Sequence, residues 1–533
     1  MIDIMLLPCI ERNLLFVQDI PSIIHAVNKP LVIHVQIELF VAMSKTIRTP
    51  GMFASLLPLI AMFAFVLVGY GLYGVKIELI IIASAIVAGV VAVRMGHTWE
   101  EIQRSMAEKL VQALPAALIL IAVGLLIGTW VISGTIPMMV YYGLILIDPV
   151  YLYITAFLVT LVISSSTGTS FGAAGTIGVA LMGVAAGLGV SLPITAGAVI
   201  SGAYFGDKMS PLSDTTNMAS IASGAPLYTH IRHMTYTTFP SFGVCVIVYL
   251  TIGLLTDPSG SGASENVPLI LSALDAAFSW NWLLLLPPVI VVYGSITKKP
   301  TLLVMLAASI TAMVLSVSIQ NFTIQQAFIS ATEGFHVTMI TSPQFDLESV
   351  ISDIPTLLNR GGMYSMLNTI LFVICAFFFG AALDVSGALS VIVGALLKAA
   401  RSIGSIILST ILAGIILVAA TSNGSVTMLI VADLFRDAYR ARRLKMQNMS
   451  RTLEDSVSIF ECLMPWTVSG IYMATTLGVP TLDYAPWAVF CYSGIFFALV
   501  YGYGSKFFRF GLAMELDNIS EVEERILTDG LTD

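Results

Sequence analysis

The sequence predicts an all-α polytopic membrane protein. Of its 533 residues, 57% are hydrophobic and only 11% are charged, whereas a soluble domain carries about 25% charged residues. Apolar runs of about 17–25 residues recur along the chain, and each is long enough to cross a bilayer as an α-helix. Other apolar runs are interrupted by polar and acidic residues, a pattern typical of an ion pathway within a membrane.

Eight apolar runs predict regular transmembrane helices. They lie near 52–74, 77–95, 110–133, 235–255, 282–296, 301–318, 366–386 and 484–503. Six less regular runs contain Gly, Pro, hydroxyl or acidic residues: 135–147, 150–187, 192–224, 388–400, 404–436 and 455–478. We expect broken helices there, surrounded by protein or by a polar cavity, because exposed backbone polar groups are costly in lipid.

Basic residues in short loops predict the orientation in the membrane. Lys45, Arg48 and the basic stretch 436–451 indicate that both termini are cytoplasmic. The acidic segments 256–279 and 319–359 contain no Lys or Arg and are predicted to be external. The expected location is therefore a membrane that the chain crosses several times.

Short motifs recur about 250 residues apart. Ser133-Gly134 is followed, one repeat later, by Ser386-Gly387, and a carboxylate-rich apolar segment occurs in each half. The basic stretch 436–451 corresponds to an uncharged one, so equivalent loops lie on opposite sides of the membrane. This pattern predicts an inverted-topology repeat.

The predicted architecture has about ten transmembrane helices plus two re-entrant hairpins, at 150–187 and 404–436, with broken helices at the midplane. The predicted divisions are a leader that is disordered or follows a misassigned start codon (1–50), a first repeat (51–256), an external linker (257–281), a second, inverted repeat (282–510) and an acidic cytoplasmic tail (511–533).

The most informative polar segment is 201–217. It lies between apolar flanks, and Gly206 and Pro211 interrupt its helical pattern. Na⁺ is a hard cation that prefers several oxygen ligands, and burial disfavours the charged form of a carboxylate, so one carboxylate can hold either H⁺ or Na⁺. The predicted ligands of Na⁺ and H⁺ are Asp207, Asp214, Ser210, Ser213, Thr215, Thr216 and Asn217. A solvated cytoplasmic loop is the alternative.

A second segment, 451–467, occupies the equivalent place in the other half. Its predicted site residues are Glu454, Asp455, Glu461, Ser456 and Thr467. The alternative is a structural ion pair of its acidic residues with Arg451 at the membrane edge.

Two clusters of small polar residues are predicted to form the hairpin tips. They are Ser166, Thr167, Thr169 and Ser170 in the first half, and Ser422, Asn423 and Ser425 in the second. Tip hydroxyls and helix N-termini would face the substrate, although close helix packing by small residues is the alternative. His230 and His233 are predicted to be solvated beside a basic turn.

The sequence Gly-Ala-Tyr-Phe-Gly-Asp207-Lys208-Met-Ser-Pro211-Leu-Ser-Asp214-Thr-Thr-Asn217 resembles the NhaC family of bacterial Na⁺/H⁺ antiporters, within the ion-transporter superfamily. Supporting similarity extends through 127–137 and 450–456. The resemblance implies Na⁺/H⁺ exchange in pH homeostasis, and some relatives exchange organic acids such as malate and lactate, or amino acids. This chain departs from the family pattern after Ser456: it adds Glu461 and has Thr467 where the family has Asn.

These observations predict a secondary active antiporter that exchanges Na⁺ for H⁺ by alternating access. Asp214→Asn is expected to abolish the exchange. A Na⁺/H⁺-coupled antiporter of malate, lactate or an amino acid on the same fold is the alternative.

The expected partners are the lipid bilayer, Na⁺, H⁺ and, in the alternative, a small organic anion or amino acid. We expect no cofactor, no metal beyond the transported Na⁺ and no nucleic acid. A monomer and a homodimer both stay open. The sequence offers neither a metal-ligand set nor a nucleophile–base constellation for an enzyme, and a passive channel is a further alternative.

Overall fold

The computed structural model describes residues 47–256, 263–345, 353–505, 507 and 510–515. Within these ranges the chain is helical apart from turns, loops and two isolated β-bridges. The predicted leader, up to residue 46, and the predicted acidic tail, from residue 516, lie outside the described residues.

In the described part of the first half, nine helices have ten residues or more. They are α1 (Met52–Phe65), α2 (Ile77–Arg94), α3 (Trp99–Ile132), α4 (Thr135–Leu146), α5 (Leu152–Thr167), α6 (Ser170–Gly187), α7 (Leu192–Met209), α8 (Asp214–Ser223) and α9 (Leu227–Leu255). A π turn, Val66–Tyr70, extends α1, and another, Ala174–Gly178, lies within α6.

The described helices of the second half follow. They are α10 (Ala263–Ala277), α11 (Leu286–Ile296), α12 (Thr301–Ser318), α13 (Ile324–Thr332), α14 (Asp353–Leu358), α15 (Leu367–Val385), α16 (Ala388–Ala399), α17 (Ile403–Thr421), α18 (Gly424–Ala441), α19 (Met446–Leu453), α20 (Val468–Leu477), α21 (Thr481–Tyr484) and α22 (Phe490–Gly504). The π turn Glu454–Ser458 continues α19. Helix α10 lies within the predicted external linker.

Eight helices in the described residues are individually long and apolar enough to cross a membrane, and four bent pairs raise the number to twelve if each pair is one crossing. Helices α3 and α4, for example, bend by 68° where they meet. The prediction of an all-α polytopic membrane protein with broken helices is confirmed.

Left-handed glycines mark equivalent breaks in the two halves. Gly134 (φ 83°) separates α3 from α4, and Gly387 (φ 72°) separates α15 from α16. Gly224 (φ 78°) ends α8, and Gly478 (φ 72°) ends α20. Each pair is 253 or 254 residues apart, which matches the predicted repeat. The inverted orientation of the halves stays a prediction.

Both predicted hairpins break at their predicted tips. Residue Gly168 (φ 70°) separates α5 from α6, and Ser422 (φ 50°) ends α17 just before α18. A single residue at positive φ ends a helix abruptly, and glycine adopts this conformation at little cost. Helices α5 and α6 are each long enough to span a membrane, so the re-entrant course of 150–187 stays a prediction.

Close packing of α7 on α5 positions the polar end of α7. A Cβ atom at Gly202 would collide with the carbonyl of Phe157, and one at Gly206 would collide with the backbone nitrogen of Ser165. The two helices therefore approach backbone to backbone, as small residues permit between membrane helices. This contact brings Asp207 beside the break between α5 and α6.

Candidate ion-binding site

Asp207 lies in the last turn of α7 and is 8% exposed. Its Oδ2 atom accepts a hydrogen bond of 2.7 Å from Ser170 Oγ, at the start of α6. The Ser213 side chain is a further hydrogen-bond partner of this carboxylate, and a carboxylate with about four lone-pair sites keeps acceptor capacity for a proton or a cation. The predicted tip residue Ser170 and the predicted ion ligand Asp207 are thus brought together.

Helix α8 begins after a non-helical break at 210–213, as Gly206 and Pro211 led us to expect. The Thr216 hydroxyl donates to the carbonyls of Asp207 and Lys208, at 3.2 and 3.0 Å. Asn217 Nδ2 donates to the Ser213 carbonyl at 2.6 Å. These side chains satisfy carbonyls freed by the break, so their first role is to stabilise it.

Ser210 and Ser213 also bind local backbone. Ser210 Oγ accepts from Leu212 N at 3.3 Å, and Ser213 Oγ caps α8 by accepting from Thr216 N at 3.4 Å. Asp214 begins α8 and is exposed, on the wall of a cavity described below. Asp207 is therefore more enclosed by protein than Asp214.

Glu454 joins the second half of the chain to the first. Thr215 Oγ1 donates to Glu454 Oε1 at 3.0 Å. The Glu454 side chain has no exposed surface, and among the described residues its Oε2 atom has no hydrogen-bond partner. An orphaned buried carboxylate oxygen is costly, so this atom is suited to hold a proton or to accept from a bound ligand.

Asp455 forms a buried ion pair with Lys208. Thr237 Oγ1 on α9 donates to the same Asp455 oxygen at 3.3 Å and accepts from Lys208 Nζ at 3.2 Å. The alternative pairing of this acidic residue with Arg451 at the membrane edge is not observed. Asp455 instead links α7, α9 and α19.

A cavity of about 730 Å³ contains the carboxylates of Asp207 and Glu461 in its wall. Its other polar lining residues include Ser170, Tyr204, Asp214, Thr215, Asn217, Ser458 and Ser469. Glu461 is 7% exposed. The cavity also reaches Lys298 and Lys299, between α11 and α12, so it opens on the side that the basic loops predict to be cytoplasmic.

The remaining site residues of the second half have structural contacts. Ser456 Oγ donates to the Thr452 carbonyl at 2.7 Å. Thr467 caps α20 and donates to the Glu461 carbonyl at 2.7 Å, so it fixes the backbone of Glu461.

The two hairpin tips differ in what they contact. Thr167, Thr169 and Ser170 line the cavity, whereas the hydroxyl of Ser166 donates to its own helix. In the second tip, Asn423 caps α18, Ser422 is buried and Ser425 is half-buried. Neighbouring Gly424 lies against Glu461, since a Cβ atom there would be 3.3 Å from Glu461 Oε2.

The prediction that His230 and His233 are solvated is wrong. Their side chains are 0% and 4% exposed. The reason is that the start of α9 packs against α19, where His233 Nε2 lies 3.2 Å from Asn448 Oδ1. Arg232, which lies between the two histidines and suggested solvation, is itself exposed.

An aromatic stack lies between the cavity and the opposite side of the protein. The rings of Phe171 (α6) and Tyr472 (α20) are 4.0 Å apart and nearly parallel, and Tyr472 Oη donates to the Phe171 carbonyl at 2.7 Å. A second cavity, of about 580 Å³, lies at the far ends of α6 and α20, where Met182 and Thr476 line it.

Sequence reasoning did not select Lys208, Tyr204, Ser469 or Tyr472 as site residues. Lys208 gave one signal, because a lysine beside Asp207 between apolar flanks requires a buried acidic partner. Tyr472 gave none, since its partner Phe171 lies in the other half of the chain.

The fold and this site define a polytopic membrane protein with carboxylates from both halves of the chain around one polar cavity. A sequence profile of the Na⁺/H⁺ antiporter family matches residues 202–505. The chain belongs to this family.

Three relatives align over most of their length. An uncharacterized Na⁺/H⁺ antiporter of Haemophilus influenzae is 48% identical over 85% of this chain and 96% of its own. The malate-2H⁺/Na⁺-lactate antiporter of Bacillus subtilis is 32% identical over 87% of this chain and 97% of its own length. The Na⁺/H⁺ antiporter NhaC of Alkalihalophilus pseudofirmus is 33% identical over 84% of this chain and 95% of its own length. Membership in an antiporter family implies a transporter rather than an enzyme.

Proposed function

We propose that this protein exchanges Na⁺ for H⁺ across a bacterial inner membrane, with both termini in the cytoplasm and the two halves moving as inverted repeats. The observation that carries the proposal is that Asp207, from the first half, and Glu461, from the second, line one polar cavity.

The two carboxylates supply the chemistry of exchange. A carboxylate shielded from water is unstable as a bare anion, so it holds either a proton or a cation. The hydroxyls of Ser170, Ser458 and Ser469 offer neutral oxygens in the same cavity, as Na⁺ requires. Because Na⁺ and H⁺ compete for the same oxygens, binding of one releases the other, which couples the two opposed fluxes.

The stack of Phe171 on Tyr472 would act as the closed barrier. Each ring belongs to a different half, so a movement of one half relative to the other would separate the rings and join the site to the second cavity. In this scheme the observed conformation is open to the side of Lys298 and closed at the stack.

The second candidate is a Na⁺/H⁺-coupled exchanger of an organic acid. A cavity of about 730 Å³ falls within the roughly 300–1,000 Å³ typical of small-molecule sites, and a dehydrated Na⁺ needs far less space. Lys298 and Lys299 in its wall would attract a carboxylate. One relative is a malate-2H⁺/Na⁺-lactate antiporter and another, 33% identical, is an arginine/ornithine antiporter, so an amino acid is the other organic solute that this candidate function allows.

Reconstitution into liposomes tests the two candidates. We expect an imposed Na⁺ gradient to drive proton movement with no organic solute present. If the proton movement requires malate or lactate on the opposite side, the organic-acid exchanger is the correct function. If neither condition moves protons, both proposals fail.

A further inference from the structure

The segment 510–515, here called the strap, is bound to the loop between α18 and α19. Lys445 N donates to the Ala513 carbonyl at 3.0 Å, and Glu515 N donates to the Arg443 carbonyl at 2.8 Å. An isolated β-bridge pairs Leu444 with Met514. The strap is therefore fixed by backbone hydrogen bonds rather than by side-chain packing alone.

Two side chains of α19 form hydrogen bonds with the backbone of the strap. Asn448 Nδ2 donates to the Ala513 carbonyl at 2.6 Å, and Ala513 N donates to Asn448 Oδ1 at 3.0 Å. One turn further along, Arg451 Nη1 donates to the Gly511 carbonyl at 2.5 Å. The Arg451 guanidinium also lies over the Tyr501 ring, 5.7 Å from its centroid.

Arg451 is a buried cation with few partners. Its side chain has no exposed surface, and its Nε and Nη2 atoms lack hydrogen-bond partners among the described residues. Asp455 lies four residues further on, where residues on a helix are neighbours. Its Oδ2 atom also lacks a partner within the described part of the chain, while its Oδ1 atom is held by Lys208.

We infer that the strap keeps Arg451 away from Asp455 and thereby preserves the Lys208–Asp455 pair of the ion site. Arg451 is in this sense a positioning residue, and the inference rests on the proposed function. When the strap is displaced, the guanidinium loses the Gly511 carbonyl, and the unpaired Oδ2 atom of Asp455, one helical turn away, becomes an alternative acceptor for it.

Loss of Asp455 as a partner would leave Lys208 as an unpaired buried cation. Lys208 is adjacent in sequence to Asp207, and its partner Asp455 is adjacent to Glu454. An ammonium group released beside these carboxylates would compete with Na⁺ for them. Displacing the strap should therefore weaken Na⁺ binding more than it slows turnover.

Gly511→Ala displaces the strap directly. Gly511 has φ 75°, and a Cβ atom there would be 2.7 Å from the Tyr501 ring. Gly74→Ala is the matched control, since Gly74 has φ 62° with nothing within 4 Å of its Cβ position. Ala513→Pro, which removes the N–H that Asn448 accepts, is a second variant if Gly511→Ala does not fold.

The measurements are hydrogen exchange of residues 443–445 and 510–515, and the Na⁺ concentration that half-saturates both flux and thermal stabilisation of the full-length protein. In Gly511→Ala we expect faster hydrogen exchange and a half-saturating concentration about fivefold higher, as for coupling between contacting groups. Arg451→Met should suppress this rise. The half-saturating Na⁺ concentration of the double variant, Gly511→Ala with Arg451→Met, should therefore equal that of Arg451→Met alone.

Two outcomes would overturn the inference: a displaced strap with unchanged half-saturation, or a rise that persists in the Arg451→Met background. The Na⁺-dependent thermal shift reports binding without transport. A wild-type protein that is stabilised by Na⁺ but moves no protons would therefore contradict the proposed exchange and leave the strap measurement valid.

Discussion

Lys208 and Asp455 form a buried ion pair between residues that are 247 positions apart in the chain. Lys208 lies in the last turn of α7 in the first half, and Asp455 lies in the π turn that follows α19 in the second. Buried charges are retained in proteins when they are paired and hydrogen-bonded. The pair therefore fixes how the two halves meet, directly beside Asp207 and Glu454.

Removing one partner of this pair should destabilise the protein strongly. Lys208→Met or Asp455→Leu leaves an uncompensated buried charge, which typically costs about 3–5 kcal/mol. The double variant should lose less than the sum of the two. Thermal unfolding in detergent, followed by fluorescence, measures the effect.

The control for this prediction is Asp384→Asn. Asp384 lies 3.3 Å from Lys109 in a pair whose acidic side chain is 56% exposed, and such pairs contribute at most about 1 kcal/mol. Equal unfolding midpoints for Lys208→Met and Asp384→Asn would contradict the assigned importance of the buried pair.

Gly494 on α22 lies directly against the same ion pair. A Cβ atom there would be 2.5 Å from Asp455 Oδ1 and 3.7 Å from Lys208 Nζ. Gly494→Ala should therefore lower the unfolding midpoint and the rate of exchange, although alanine is favoured over glycine in a helix by about 1 kcal/mol.

Gly243→Ala on α9 is the matched control, because nothing lies within 4 Å of its Cβ position. We expect it to be neutral or stabilising. If Gly494→Ala and Gly243→Ala have the same unfolding midpoint and the same exchange rate, the close contact of α22 with the ion pair does not matter for stability or transport.

Truncating Tyr472 should open the barrier between the two cavities. Tyr472→Ala removes the ring that stacks on Phe171 at 4.0 Å, so we expect Na⁺ to leak through liposomes without proton movement. Tyr472→Phe keeps the ring and loses only the hydrogen bond to the Phe171 carbonyl, typically about 0.5–1.5 kcal/mol. Na⁺ movement and proton movement should therefore stay coupled in Tyr472→Phe. Strict coupling in Tyr472→Ala would show that the stack is not the barrier.

Hydropathy and glycine positions predicted most of the helical framework. The clear apolar runs became helices, and the Ser-Gly pairs at 133–134 and 386–387 became breaks. Both features depend on local sequence: apolar length decides whether a helix can span, and glycine tolerates the positive φ of a break.

The contacts between the halves were not predictable. The partner of Lys208 and the stack of Phe171 on Tyr472 depend on tertiary packing that no local pattern encodes. Several predicted Na⁺ ligands also proved to bind local backbone, as Thr216 does. Hydroxyl side chains near a helix break readily satisfy its freed backbone groups, so composition alone does not separate caps from ligands.

The exchange rate of Asp207→Asn tests the central claim most directly. Asparagine keeps the size of the side chain but cannot be protonated or carry a charge, so we expect no Na⁺-driven proton movement in proteoliposomes while the unfolding midpoint stays near that of the wild type. The structure changes the expectation for Asp214→Asn: because Asp214 is exposed on the cavity wall, this variant should retain exchange with weaker Na⁺ affinity, instead of losing exchange as the sequence predicts. Asp437→Asn, at a side chain that is 96% exposed, should match the wild type. Wild-type exchange by Asp207→Asn would contradict the account.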